Sequence, residues 1–318
     1  MNSHIYKLAV SLVIVTFITG CVTAQKAIPK EHEAKLQTSE VERLIADLKF
    51  LSSEDLKGRE TGTPGNRTAR EYIIKRFKES GVQHASAERS FIQPFRFVTE
   101  TKEEIAGANV VGVIKGRNES GGSIVISAHY DHLGVREGQI YNGTDDNASG
   151  TAALIAFADY FNKNKPVHDL IFVAFDAEEK GHSGAKHFVK DPVVPLDKIL
   201  LNVNLDMIAR GDKKELFIAG TYHYPQLKPL LSRIALSAPV TVLFGHDTPE
   251  PKADDWTIGS DHYQFHKKKI PFIYFGVEDH PDYHKPTDDF EKVDLSFYKD
   301  AVTTILMGIV ALDRNLKE

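Results

Sequence analysis

Cysteine is all but absent: the chain has 318 residues and a single cysteine, Cys21. No disulfide can form within the chain, so stability has to come from the core and from any bound metal. There is no surplus of positive charge either. Lysine and arginine number 39 against 44 aspartates and glutamates, for a formal charge of −5 and a sequence pI near 6.3. This excludes the basic footprint that nucleic-acid binding requires. No internal repeat and no low-complexity segment occurs. With 42% hydrophobic and 26% charged residues, the composition is that of an ordinary globular protein. One domain of roughly 250–290 residues, or a main domain with one insertion, fits that length.

The N-terminus has no apolar run long enough to span a bilayer, which takes about twenty residues. Lys7 precedes a shorter run, Leu8 to Ile18, followed by Thr19-Gly20-Cys21. A positive start, an apolar stretch of about ten residues and small residues before a break describe a secretory signal peptide. Ile18-Thr19-Gly20-Cys21 resembles a bacterial lipobox, whose cysteine is lipidated and becomes the first residue of the mature protein. The expected organisation is a signal peptide over 1–20, a lipid-anchored polar tether over 21–39 and a folded body over 40–318. The expected location is the bacterial periplasm, anchored to the outer membrane, with the lipid as the only membrane contact. Nothing in the sequence separates monomer from dimer.

Residues 41, 44, 45, 48 and 51 are apolar at helical spacing, as are 69, 72, 73 and 77 of the segment 67–80. Between them, 58–65 (GRETGTPG) reads as loop. Strands are expected over 109–114, 123–127, 170–175, 199–205, 216–219, 240–244 and 271–275. Helices are expected over 149–161, 184–189, 225–237 and 294–313. Continuous apolar strands alternating with helices predict an α/β fold: a three-layer sandwich, its mixed and mostly parallel central sheet flanked by helices.

The polar clusters fall at the carboxyl ends of these strands, where ligands gather in open α/β sheets. The strand 123–127 runs into Ala128-His129-Tyr130-Asp131-His132. The strand 170–175 runs into Asp176-Ala177-Glu178-Glu179, and 199–205 into Asp206. The strand 271–275 leads to a loop with His280, Asp282, Tyr283 and His284. Histidine nitrogen and carboxylate oxygen without cysteine suit zinc in a catalytic setting. Carboxylates crowded this closely call for cations, and two divalent metals with a bridging carboxylate meet that demand.

The order His-x-Asp, Asn-Gly-Thr-Asp-Asp-Asn-Ala-Ser-Gly, Glu-Glu, Asn-Leu-Asp-Met, Tyr-His resembles the two-zinc aminopeptidases of metallopeptidase family 28. That family also holds glutamate carboxypeptidases and glutaminyl cyclases. The likeness runs from about Leu44, through Leu-Ser-Ser, Gly-Arg and Gly-Thr-Pro-Gly, to the C-terminal helix. It implies a zinc-exopeptidase fold over 40–318 and two zinc ions, with cobalt or manganese as substitutes. One zinc would be held by His129, Asp146 and Asp206, the other by Asp146, Glu179 and His284. Asp146 matches the bridging carboxylate, with Asp145 its rival, and Asp146–Asn147 matches a position that is often cis. Asp131 matches the acid that orients His129, Glu178 the general base and Tyr283 a phenol facing the oxyanion. The implied reaction is hydrolysis of peptide substrates, with Glu178 taking a proton from water and returning it to the leaving amine.

Other readings stay beside this one. A carboxypeptidase or dipeptidase would use the same metals but needs cations for a free carboxylate, and Arg210 is the one prominent cation near the site. Arg210 either meets a substrate carboxylate or pairs with an acid. A glutaminyl cyclase is generally a one-zinc enzyme, and a non-catalytic binding module would lack part of the ligand set. Asp261 and His262 are candidates for lining the substrate site. His132, His182, His262, His266 and His280 are not expected to be ligands.

Overall fold

The computed structural model describes residues 33–85, 90–99, 101–118, 121–211, 213–248 and 254–316. The expected signal segment 1–20, Cys21 with its expected lipid and most of the expected tether lie outside the described residues. The described residues open with α1 (Thr38–Leu51), a 3-10 turn over Glu54–Arg59 and α2 (Pro64–Glu79). Strands β1 (Gln83–His84), β2 (Ile92–Val98), β3 (Glu104–Ile114) and β4 (Ser123–His129) follow. A small hairpin of β5 (Gly134–Arg136) and β6 (Gln139–Tyr141) precedes α3 (Gly150–Lys163). Then come β7 (Asp169–Phe175), α4 (Ser183–Lys190), β8 (Ile199–Leu205), β9 (Glu215–Ala219) and α5 (Lys228–Ala235). The chain ends with β10 (Thr241–Phe244), α6 (His262–Lys267), β11 (Phe272–Gly276) and α7 (Leu295–Asn315).

Nine strands form one sheet in the order β1-β3-β7-β4-β8-β11-β9-β10, with β2 also paired to β3. The expected mostly parallel sheet is realised at its centre, where β7, β4, β8 and β11 run parallel. The flanks differ: β3 is antiparallel to β7, and β9 is antiparallel to β11. Alternate residues separate two cores. Ile124, Ile126, Leu170 and Phe172 pack beneath the layer of α1, α2, α3, α5 and α7. Val125, Ile171, Val173 and Phe175 pack against Phe188 of α4 and Phe265 of α6. Burial on both faces is why these strands read as continuous apolar runs. α7 is long and apolar enough to cross a membrane by composition, yet 72% of its apolar window is buried in the protein. Asp294 caps it by accepting N–H bonds from Ser296 (2.9 Å) and Phe297 (3.1 Å).

Some expectations shift. Ala34 and Leu36 are buried and α1 begins at Thr38, so the last part of the 21–39 tether belongs to the body. The loop expected over 58–65 ends in helix. Thr63 accepts an N–H bond from Asn66, and Pro64 sits in the first turn of α2, where its missing N–H costs nothing. Gly65 is required there, because a Cβ would lie 1.8 Å from the Leu56 carbonyl oxygen. The unexpected β2 carries Pro94 and pairs only with β3, an edge position where a strand tolerates proline.

A buried ion cluster ties the first three helices together. Arg76 of α2 meets Asp47 of α1 at 2.8 Å and Asp159 of α3 at 3.3 Å. Tyr72 adds an O–H bond to Asp47 (2.6 Å). Arg76→Met would leave Asp47 buried without its cation and Asp159 with Arg43 alone, at 3.4 Å. The expected loss is about 3–5 kcal/mol of unfolding free energy, measured by chemical denaturation; a loss below about 1 kcal/mol would show that the cluster does not hold the helices.

Candidate metal centre

Parallel strands deliver their carboxyl ends to one side of the sheet, and the chemistry-bearing residues leave from there. His129 is the last residue of β4, Asp176 to Glu179 follow β7, and Asp206 follows β8. Asp145 and Asp146 lie in the turn before α3, and Tyr283 and His284 lie in the loop after β11.

His129 Nε2 is 3.2 Å from Asp146 Oδ1 and 3.2 Å from Asp206 Oδ1. His284 Nε2 is 3.0 Å from Asp146 Oδ2 and 3.5 Å from Glu179 Oε2. Asp146 thus offers one oxygen to each group. Two ligands each about 2.1 Å from one zinc ion sit roughly 2.9–3.5 Å apart, so these residues fit a pair of metal ions. Asp145 turns away, accepting the Ala209 N–H (2.7 Å) and facing His280 Nε2 (3.1 Å). Asp288 accepts the N–H groups of both aspartates, at 3.0 Å and 3.2 Å. The Asp146–Asn147 peptide is cis.

Asp131 lies elsewhere than expected. The His129 ring meets the main-chain oxygen of Asp131 at 3.2 Å, while the carboxylate stands off at 3.8 Å. An Nδ1–H donated to that carbonyl leaves Nε2 free to face the acids. The Asp131 carboxylate instead accepts the N–H groups of Glu178 (3.0 Å) and Glu179 (3.3 Å), fixing the Glu-Glu pair. Asp176 does comparable work one step out. It accepts from Asn66 of α2 (2.9 Å), the Thr61 hydroxyl (2.9 Å) and the Ala108 N–H of β3 (2.9 Å).

Arg59 is buried and bonds only carbonyls: Tyr130 O (2.9 Å), Leu51 O (2.5 Å), Asn142 O (2.5 Å) and Gly143 O (2.9 Å). It clamps the segments that carry His129 and Asp146 to the end of α1. Burial pulls its guanidinium down to about 10, against the upward influence of Asp146 and Asp131. Glu178 moves the other way. Burial, then Glu179 and Asp206, hold it well above the usual carboxylate range against the influence of His129. For Glu179, burial and Asp146 push upward, but His132 and His284 prevail and bring it to about 2. A carboxyl group held high beside one held low is the arrangement that separates a proton carrier from a ligand. His182 Nε2 lies 3.1 Å from Glu178 Oε1.

Several expected neighbours take other places. Arg210 meets Asp282 at 2.9 Å and so ties down the loop that carries Tyr283 and His284. Asp261 and His262 are fully buried and do not line an open site; His262 Nε2 meets the Trp256 carbonyl at 2.9 Å. Tyr283 stacks on His284 with ring centroids 4.0 Å apart. His132, not expected as a ligand, is buried with Nδ1 2.8 Å from Glu179 Oε1 and 3.7 Å from Asp146 Oδ2. Its spacing after His129 gave no sign of this, because the turn that returns it to the site is not legible locally. Beside Glu179 a groove of about 960 Å³ opens, walled by Glu60 to Thr63, the β2–β3 hairpin, Lys180 and Lys186.

A family model described as Peptidase family M28 matches residues 109–309. Aminopeptidase YwaD of Bacillus subtilis is 25% identical over 254 residues, covering 75% of this chain and 49% of that protein. The alkaline phosphatase isozyme conversion protein of Escherichia coli is 28% identical over 173 residues, covering 49% of this chain and 48% of that one. The chain thus spans about half the length of these curated relatives. Among solved structures, an aminopeptidase from Aneurinibacillus sp. strain AM-1 superposes with a TM-score of 0.69 at 16% identity, covering 85% of this chain and 93% of that chain. A zinc aminopeptidase from Bacillus subtilis gives 0.68 at 15% identity, covering 87% and 96%.

The two adjacent aspartates can be told apart by metal content. Asp146→Asn is expected to lose at least one zinc ion per chain. Asp145→Asn keeps an oxygen for the Ala209 N–H and is expected to keep full occupancy. Elemental analysis of both purified variants checks this, and the reverse pattern would make Asp145 the bridge.

Proposed function

The chain belongs to peptidase family M28, and we propose that it is a two-zinc aminopeptidase that releases N-terminal residues from peptides. The observation that carries this reading is the position of Asp146. It lies between His129 with Asp206 on one side and His284 with Glu179 on the other, and Glu178 adjoins this pair of groups. His129, Asp146 and Asp206 would hold one zinc, and Asp146, Glu179 and His284 the second; cobalt or manganese could take their place. When bound, such ions polarise a carbonyl and make a water acidic.

Glu178 then accepts the proton of the attacking water and delivers it to the departing amine. Its burial suits this task, since a carboxyl group held above its ordinary range more readily keeps the proton it takes until the amine departs. Asp131 holds Glu178 through its backbone N–H, so the base is fixed by the main chain as well as by its own side chain. The Tyr283 phenol faces the same carboxylates and would donate to the developing oxyanion. The groove beside Glu179 takes the peptide as it leads away from the metals.

The direction of cleavage follows from charge. The carboxylates around the metals suit a free ammonium, whereas Arg210 is engaged by Asp282 and, in the groove wall, Lys180 by Glu60, leaving Lys186 as the cation a carboxylate would meet there. A glutaminyl cyclase would not need the complete two-metal set. For location, the reading rests on Lys7, the apolar run to Ile18 and Cys21: export to the periplasm and a lipid anchor in the outer membrane.

Glu178→Gln is expected to keep both zinc ions and to lower kcat by about 10²–10⁴-fold; near-wild-type turnover would remove Glu178 from the mechanism. Wild-type protein should cleave amino-acid p-nitroanilides, leave N-blocked dipeptides intact and lose activity with a chelator, regaining it with zinc. Preference for the blocked peptides would reverse the assigned direction.

A further inference from the structure

His132 has no part in the proposed mechanism beyond its effect on Glu179. Its ring is fully buried, and neither Nδ1 nor Nε2 has a hydrogen-bond partner among the described residues. A buried imidazole without a partner is costly unless something else engages it. Nδ1 lies 2.8 Å from Glu179 Oε1. That oxygen is buried as well and also lacks a hydrogen-bond partner, because the pair does not meet at a hydrogen-bonding angle. Two facing polar atoms left without a hydrogen bond are positions that a shared ion would satisfy. Asp146 Oδ2 stands 3.7 Å from the same nitrogen. The ligand atoms of His132, Asp146 and Glu179 lie within 4.8 Å of one another, as do those of His129, Asp146 and Asp206.

The backbone makes room for this ring. A Cβ on Gly143 would stand 2.4 Å from the His132 ring, so only glycine at 143 admits it. The Gly143 carbonyl is held in turn by Arg59. His284 contrasts with it in every respect: its side chain is 40% exposed and comes from the loop after β11. The two rings approach the Asp146–Glu179 pair separately, with centroids 5.9 Å apart.

We propose that His132 is a ligand of the second metal, holding it from the buried side of the Asp146–Glu179 pair, so that retention of that metal does not depend on His284. The inference rests on the two-metal reading above and adds to it. A metal kept by His132, Asp146 and Glu179 stays in place if the exposed His284 loop moves, which separates holding the metal from admitting substrate.

The test is zinc titration of the whole protein against a chromophoric chelator, together with X-ray absorption of the zinc-loaded protein. Wild type should bind two zinc ions and average more than one imidazole per zinc. His132→Gln and His132→Asn should keep the first zinc tightly, which also reports an intact fold. They should bind the second more than about 100-fold more weakly, beyond the 10–100-fold that loss of an outer hydrogen-bonding partner costs. The imidazole count should fall with it. His284→Ala should still bind two zinc ions, with the second weakened less than in His132→Gln. Unchanged binding of the second zinc in His132→Gln would overturn the proposal. So would weaker binding with an unchanged imidazole count, which would make His132 a hydrogen-bonding partner of Glu179 alone. Fewer than two zinc ions in wild type would instead overturn the two-metal reading itself, and this proposal with it.

Discussion

Carboxylates buried or half-buried side by side repel one another, and the carboxyl ends of the central strands gather the buried Asp131, Asp145, Asp146, Asp176, Asp206 and Asp288 and the half-buried Glu178 and Glu179 into one region. Each charge taken out of water costs several kcal/mol unless it is met. Most of the polar structure around the site meets that demand. Backbone N–H groups serve Asp131, Asp145, Asp176 and Asp288. Histidines face Asp146, Glu179 and Asp206, and the buried Arg59 adds a positive charge without touching a carboxylate. Burial and these neighbours divide the acids. Asp146 and Glu179 are held below the usual range, and Glu178 well above it.

The scaffold supplies the positions. Parallel β7, β4 and β8 bring His129, the Glu-Glu pair and Asp206 to one level, and the loop after β11 adds His284. The N-terminal helices are more than a cover. Arg59 joins the end of α1 to the segments bearing His129 and Asp146, and Asn66 of α2 bonds the Asp176 carboxylate. The β2–β3 hairpin is pinned to the same place, since Ala108 donates to Asp176 and accepts from the Tyr130 hydroxyl. A disturbance in the first two helices therefore reaches the site through backbone carbonyls and one buried acid.

Much of this was legible in the chain. The apolar runs at 170–175 and 199–205 predict buried strands because both faces of the sheet are covered, and the polar residues that follow each run mark its carboxyl end. The two aspartates before α3 could be ranked only through the family resemblance. Two short elements were not legible: α6 has six residues, and β1 has two that take their pairing from β3. No periodicity develops over so few positions. Asp131 was expected to orient His129 through its carboxylate, but a main-chain oxygen does so, and main-chain atoms carry no sequence signal.

By itself the sequence determined which residue types stand at the ends of which strands, because alternation and apolar continuity are local properties of the chain. It determined the α/β class and the set of acids and histidines from which a metal centre could be built. Only the tertiary structure decided which of them share a volume. His132 and His280 look alike on the page, yet one faces Glu179 and the other Asp145. Arg210 could as well have been free, and it is held by Asp282. The direction a side chain takes after leaving a strand is set by the turn that follows and by the elements packed against it. Those are contacts between residues far apart in the chain, and local pattern does not encode them.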